Sequence, residues 1–462
     1  MAITVKTPGV YIEEISVFPP SVAPVATAIP AFIGYTATVP SPNVPIRITS
    51  LLEFVQFFGG PFPQNFDVVV TDTPVVNPTS RTITVNLSSS YPKKFYLYQA
   101  LQMYFDNGGG PCYVRSAGDY DTATPSLADY EAALDSFLKE DEPTLLVFPD
   151  AATLLSSFDD YGSLVARALR QCNTLQDRFV ISDVPNDTVA GVDADYRGKI
   201  GTNYLKYGAA YMPFVKSLFT YGINQTTKLI DSNNPSLDNL PLNDGTANSI
   251  AQVDPQLYQQ ILAEINKLKV TLPPSGAVAG IYASVDRDRG VWKAPANVSV
   301  ASISGPTIAI TNAQQDNLNV DATSGKSINV LRAFTGKGTL VWGARTLAGN
   351  DNEWRYVNVR RLFIFAEESI KKATEFVVFE PNDANTWLRV KGLITSFLTN
   401  LWRDGALVGA TTDQAFFVQV GLNETMSAQD ILEGKMIVRV GLAASRPAEF
   451  IILQFMHKLQ ES

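Results

Sequence analysis

Acid-base chemistry at neutral pH is most simply done by an imidazole, and this chain has one histidine, His457, five residues from its end. A Ser-His-Asp relay needs its imidazole held from several sides. His457 is therefore read as an exposed residue at a strand end with no catalytic role. The two cysteines, Cys112 and Cys172, are far apart in sequence, so neither a disulfide framework nor a Cys-rich metal site is available. They read as reduced, buried thiols of a cytosolic protein. Phe334 to Thr339 (FTGKGT) has the outline of a phosphate loop. That motif needs glycine where Leu331 stands and Ser or Thr where Gly338 stands, and a dinucleotide fingerprint needs glycine where Val341 stands. Asp106 to Pro111 (DNGGGP) could converge backbone amides on an anion. After a helix it is more simply a stop and a turn. The quartet Asp286, Arg287, Asp288, Arg289 alternates in sign without a histidine, and reads as a self-compensating surface turn or an interface salt-bridge set. We therefore expect no catalytic residue, no cofactor and no metal.

Composition points the same way. A net charge of -9 argues against a chain that coats nucleic acid, because phosphate neutralisation needs clustered Lys and Arg. A hydrophobic fraction of 45% with 18% charged residues describes a globular protein somewhat poor in charge, as extensive subunit interfaces would also produce. At 462 residues the chain should form more than one domain. The start, MAITVKTPGVYIEEI, lacks the pattern of a signal peptide, and no run reaches the length of a membrane span. The expected site of assembly is the bacterial cytoplasm, without direct membrane insertion.

The elements follow from periodicity. Prolines crowd the first 45 residues, which must be extended. A helix is expected over Ser50 to Phe58, strands over Asp67 to Val70 and Thr82 to Leu87, and an alternation of helices and strands from 93 to about 215. Residues 222–253 are rich in Asn, Asp, Ser and Thr and read as a surface excursion. A helix over Pro255 to Leu268 and a mixed β region over about 277–345 come next. A helix over Val357 to Phe376 has an apolar stripe and a charged face holding Arg360, Arg361, Glu367, Glu368, Lys371, Lys372 and Glu375. A second helix, about Ala384 to Trp402, precedes strands at Ala415 to Val420, Lys435 to Leu442 and Ala448 to Met456.

Thr7 to Ile15 (TPGVYIEEI), Val25 to Tyr35, Pro273 to Asn297, Asn329 to Phe334, Val341 to Thr346 (VWGART), Trp354 to Leu362 (WRYVNVRRL), Leu401 to Gly409, Ala415 to Val420 and Arg446 to Phe455 occur in one order. In that order they resemble the contractile tail sheath family of phages, R-type bacteriocins and extracellular contractile injection systems. The likeness covers the first 60 residues and nearly everything after 270. It implies an α+β/α/β multidomain fold, tail-sheath-like: a mixed-sheet core with an inserted outer region and a C-terminal α+β domain completed by strands from neighbouring subunits. The expected boundaries are an N-terminal β arm at 1–20, first part of the core at 21–60, a small β insertion at 61–92, and an α/β outer domain at 93–270. A return to the core at 271–350, a C-terminal inner domain at 351–445 and a C-terminal β arm at 446–462 complete the chain.

The resemblance implies a homo-oligomer of hexameric rings stacked helically around an inner tube, with baseplate and terminal cap proteins as further partners. Its particle would be released by lysis or anchored in the cell. It also implies that the arms enter neighbours' sheets. The candidate N-arm residues are Val10, Tyr11, Ile12, Glu13, Glu14 and Ile15; the candidate C-arm residues are Glu449, Phe450, Ile451, Ile452, Leu453, Gln454 and Phe455. The acceptor strands would carry Phe416, Phe417, Val418, Met436, Ile437, Val438 and Val440. Glu367, Glu368, Lys371 and Lys372 are the candidate tube contact. Independently of family, Ala448 to Met456 is apolar on both faces, and such a strand left at a solvent edge would template aggregation. Strand addition would supply about five ladder bonds of about 0.5–1.5 kcal/mol net each. The alternatives are an α/β nucleotide-binding enzyme, suggested by residues 93–215, and a standalone binding module using 222–253.

Overall fold

The computed structural model describes residues 22–73, 75, 80–88, 95–122, 124–155, 157–185 and 187–452. The chain forms two compact units. Of the described residues, one comprises those of Ala26–Ile364 and Arg446–Ile452; the other comprises Val22–Val25 and Phe365–Ser445.

In the larger unit, Pro30–Thr36 (PAFIGYT) and Phe179–Asp183 (FVISD) are buried at every position. A strand hidden on both faces belongs inside a parallel sheet covered by helices. Both lie in a nine-stranded mixed sheet in the order Val298–Ser299, Gly338–Val341, Ile328–Phe334, Gly208–Met212, Phe179–Asp183, Leu145–Val147, Pro30–Thr36, Cys112–Asp119, Ile46–Ile48. The strands from Ile328–Phe334 to Cys112–Asp119 pair in parallel, and the edges are antiparallel. Helix Phe158–Leu175 opens on Ser157, whose side chain accepts the Asp159 amide at 3.1 Å, and ends on Gln176 in the left-handed region. Helix Ser275–Arg289 packs tightly on helix Leu97–Asp106: a Cβ at Gly276 would lie 2.6 Å from the Ala100 carbonyl, and one at Gly280 would lie 2.4 Å from that of Tyr104. Glycine at these two positions lets the backbones meet.

Three sequence motifs resolve here. DNGGGP ends helix Leu97–Asp106, with Gly108 at φ 91°. FTGKGT is the hairpin between Ile328–Phe334 and Gly338–Val341, where Gly336 and Gly338 take positive φ. The Asp286 to Arg289 quartet corrects its reading as a surface turn, because it forms the last turn of helix Ser275–Arg289. Both cysteines are buried, and burial pushes their thiols well up.

The polar stretch 222–253 also departs from its reading as an excursion. Strand Leu229–Ser232 pairs in parallel with Phe66–Thr73, which pairs antiparallel with Ser80–Leu87. Leu229, Leu237, Leu242 and Ile250 join Phe66, Val68, Val70, Leu257, Ile261 and Ile265 in a second core. Arg81 ties it together, bonding Asp72 at 2.6 Å and, at 2.9 Å, Asp254, whose other carboxylate oxygen accepts the Leu257 amide and caps helix Pro255–Ile265.

In the smaller unit, helix Ala384–Arg403 starts on Asp383, which accepts the Thr386 amide, and buries Val390, Leu393, Ile394, Phe397, Leu398 and Leu401. Trp387 and Trp402 are half-buried, their indole N–H groups bonding Asn382 and Gly409. Strands Phe416–Gln419 and Arg439–Leu442 form an antiparallel ribbon. Its second strand is shorter than the expected Lys435 to Leu442, because the facing strand turns away at Gly421, whose carbonyl accepts the Met426 amide.

Candidate functional site

Among the almost wholly buried arginines of the larger unit are Arg345, Arg360 and Arg361, each 3% exposed. Arg361 donates to Asp286 at 2.6 and 2.9 Å and to the Thr27 carbonyl at 2.7 Å, and its guanidinium lies 4.7 Å from the Tyr282 ring centroid. Tyr282 in turn shares a 2.6 Å hydrogen bond with Tyr211. Arg360 stacks on Tyr207 and Trp354 at 4.9 and 4.7 Å. This corrects the placing of both arginines on the charged face opposite the apolar stripe: helix Val357–Thr374 begins inside the core, where aromatic faces and Asp286 replace water.

Arg345 holds Glu449. Its Nη2 donates to Oε2 at 2.6 Å and its Nε to Oε1 at 3.0 Å; Asn319 Nδ2 adds 2.7 Å to Oε1, and Tyr356 Oη 3.1 Å to Oε2. Burial alone would push the Glu449 carboxyl up, but the donors of Arg345, Asn319 and Tyr356 outweigh it and hold it below the usual value. Directly beyond it, Phe450, Ile451 and Ile452 are 70%, 78% and 82% exposed and belong to no strand.

Two carboxylates sit fully buried where neighbouring parallel strands end, Asp150 just beyond Leu145–Val147 and Asp183 as the last residue of Phe179–Asp183. Asp150 accepts from Tyr130 Oη at 2.7 Å and the Tyr35 amide at 3.0 Å; Asp183 accepts the Ser275 amide at 2.8 Å, at the start of helix Ser275–Arg289. Burial pushes each up to about 7. Among the described residues, no group of three or more His, Cys, Asp and Glu could hold a metal ion.

Of the acceptor candidates, Phe416, Phe417 and Val418 lie on one ribbon strand and Val440 on the other, with Phe417 opposite Gly441 and Val418 opposite Val440. Met436, Ile437 and Val438 precede the second strand, half-buried, and the Ile437 carbonyl accepts from Thr425. No further strand pairs with the ribbon among the described residues. Glu367, Lys371 and Lys372 are exposed, whereas Glu368 is buried and pairs with Lys371 at 3.2 Å and Lys372 at 3.4 Å. Val10 to Ile15, Leu453, Gln454, Phe455 and His457 lie outside the described residues. The sequence reading missed Arg345, Arg361, Asp150 and Asp183 as organising groups; the first two stand inside motifs it had singled out, VWGART and WRYVNVRRL.

Comparison with known proteins gives this arrangement its family. Residues 123–347 match the family model of the phage tail sheath protein central domain, and 349–457 that of the phage tail sheath C-terminal domain. The tail sheath protein of Vibrio phage KVP40 is 25% identical over 186 residues, 40% of this chain and 26% of its own length. That of Enterobacteria phage T4 is 22% identical over 274 residues, 59% of this chain and 36% of its own. The matched part of the chain thus spans well under half the length of these curated relatives. Among solved structures, the anti-feeding prophage helical sheath in the contracted state is 33% identical with a TM-score of 0.64, covering 98% of this chain and 100% of that one. The PVC sheath of an extracellular contractile injection system, also contracted, is 29% identical with a TM-score of 0.66, covering 99% of each. The chain belongs to the contractile tail sheath family, and its mixed α/β fold with one large mixed sheet is that of contractile sheath subunits.

Proposed function

We propose that the protein is a structural subunit that polymerises as stacked hexameric rings around an inner tube and contracts to drive that tube through a target envelope. The observation that carries this reading is the unfinished ribbon Phe416–Gln419/Arg439–Leu442 in a chain whose own C-terminal residues Phe450, Ile451 and Ile452 are apolar, exposed and unpaired. Two strands alone are marginal in water. Arms from neighbouring copies, the C-terminal one from 446 on and an N-terminal one through Val10 to Ile15, would complete the sheet by strand addition. These β joints persist while the globular bodies rotate and exchange weaker charged contacts, so the stored energy lies between two packings. The exposed Glu367, Lys371 and Lys372 face the tube before contraction, and Lys371→Glu should weaken tube binding without unfolding the subunit. The work is mechanical, and no catalytic step is assigned.

The near-complete mutual coverage with the anti-feeding prophage and PVC sheaths supports reading the particle as an injection device rather than a phage tail; we further propose assembly in the cytoplasm, with baseplate and cap proteins as partners. Electron microscopy of the purified protein tests the reading: striated tubes or rings are expected, and a protein that stays monomeric at high concentration would overturn it. Neighbouring genes without capsid and terminase are expected for the device.

A further inference from the structure

We infer that the Arg345–Glu449 pair is a clamp that sets the point and the register at which residues from Phe450 onward are handed to a second copy of this chain. The inference rests on the strand-addition reading above and deepens it.

Glu449 is held by a guanidinium that other groups of the larger unit fix in place. The Asn329 side chain grips the Arg345 main chain from both sides, accepting its amide at 2.8 Å and donating to its carbonyl at 2.8 Å. Arg345 Nη1 reaches the Asn319 and Gly349 carbonyls at 3.3 and 3.4 Å, which fixes the fork that Nε and Nη2 present. A bidentate guanidinium specifies a carboxylate in direction as well as distance. Arg345 is 4% exposed at its side chain and Glu449 21%, so the contact is largely dry.

What makes this more than an internal ion pair is where Glu449 stands. Four residues earlier the Ser445 amide still donates to the Ala406 carbonyl inside the smaller unit. From Arg446 the chain counts with the larger unit, and no regular hydrogen-bond ladder holds residues 446–452. Glu449 is the acid in a run that is otherwise apolar from Phe450 to Ile452. In a strand, side chains alternate between faces, so a slip of one residue exchanges every face. With Glu449 locked, Phe450 and Ile452 are committed to one face and Ile451 to the other. The surface they fit is apolar and alternating, as on the ribbon, where Phe416 and Val418 are buried and Phe417 is exposed.

The test uses the full-length protein. Glu449→Ala and the milder Glu449→Gln should raise the concentration needed for polymer about tenfold or more, as expected for breaking a buried pair. The swap Arg345→Glu with Glu449→Arg should recover part of the loss. Register is read by interchain disulfides: Phe417→Cys is paired with Ile451→Cys or with Ile452→Cys. One of the two pairs should cross-link between copies with Glu449 present, and both should with Glu449→Ala. Normal assembly and an unchanged cross-link pattern in both Glu449 variants would overturn the clamp, while loss of polymer on deleting 450–462 would leave strand addition standing. Normal assembly of that deletion, or a disulfide formed within one chain, would overturn both.

Discussion

Asp286 accepts both arms of the Arg361 guanidinium, at 2.6 and 2.9 Å, with side chains only 5% and 3% exposed. Asp286 lies in the last turn of helix Ser275–Arg289 and Arg361 in the first turns of helix Val357–Thr374, so one ion pair joins two of the motifs that carried the family resemblance. Removing one partner leaves the other charge buried and alone. Arg361→Ala should cost about 3–5 kcal/mol, read by urea unfolding, and an exposed control such as Arg287→Ala should cost almost nothing.

The two buried carboxylates give stability a particular pH dependence. Asp150 and Asp183 are raised from 3.8 to about 7, so between those values the native state keeps protons that the unfolded chain has released. Their contribution is therefore greatest below pH 3.8, falls as pH rises towards 7, and is level above it. Asp183→Asn keeps an acceptor for the Ser275 amide and removes one titration. Its unfolding free energy should gain on the wild type between pH 5 and pH 8; parallel curves would show that Asp183 does not titrate there.

Glu449 has the opposite sign. Its carboxyl is held below the ordinary 4.5, so what the clamp contributes is present above that value and is lost as pH falls through the lower folded value. Polymer should loosen on acidification below the ordinary glutamate range, and Glu449→Gln should lack that limb in a sedimentation titration.

Glycines offer a contrast in both directions. At Gly280 a methyl group would meet the Tyr104 carbonyl at 2.4 Å, and Gly280→Ala should destabilise by about 1–3 kcal/mol. Gly392, inside helix Ala384–Arg403, has nothing within 4 Å, so Gly392→Ala should stabilise by about 0.5–1 kcal/mol. Thermal unfolding separates the two.

Local pattern carried much of the fold. Helices and strands alternate through 93–215 as the pattern predicts, and the helix expected over Ser50 to Phe58 stands at Leu51–Phe58 with Ser50 as its cap. Stretch 222–253 misled because averaging its polarity hides four leucines and isoleucines, which Asx turns at Asn234 and Asp244 help turn into a shared core. Arg360 and Arg361 differ from expectation because periodicity sets a charged residue on the face opposite the apolar stripe unless its partners are known, and Tyr207, Tyr282 and Asp286 come from far along the chain. Glu449 was singled out only as the first residue of an apolar arm; that Arg345, 104 residues earlier, would hold it lies beyond periodicity.

The second core has a practical consequence. It is stitched from two stretches more than a hundred residues apart, 66–87 and 229–265, with Arg81 of the first riveted to Asp254 of the second. Anyone wishing to trim this protein, or to display cargo on it, must treat the two as a single cassette. Excising either half alone would strip cover from Leu229 or Val68 and turn a polar appendage into a sticky one.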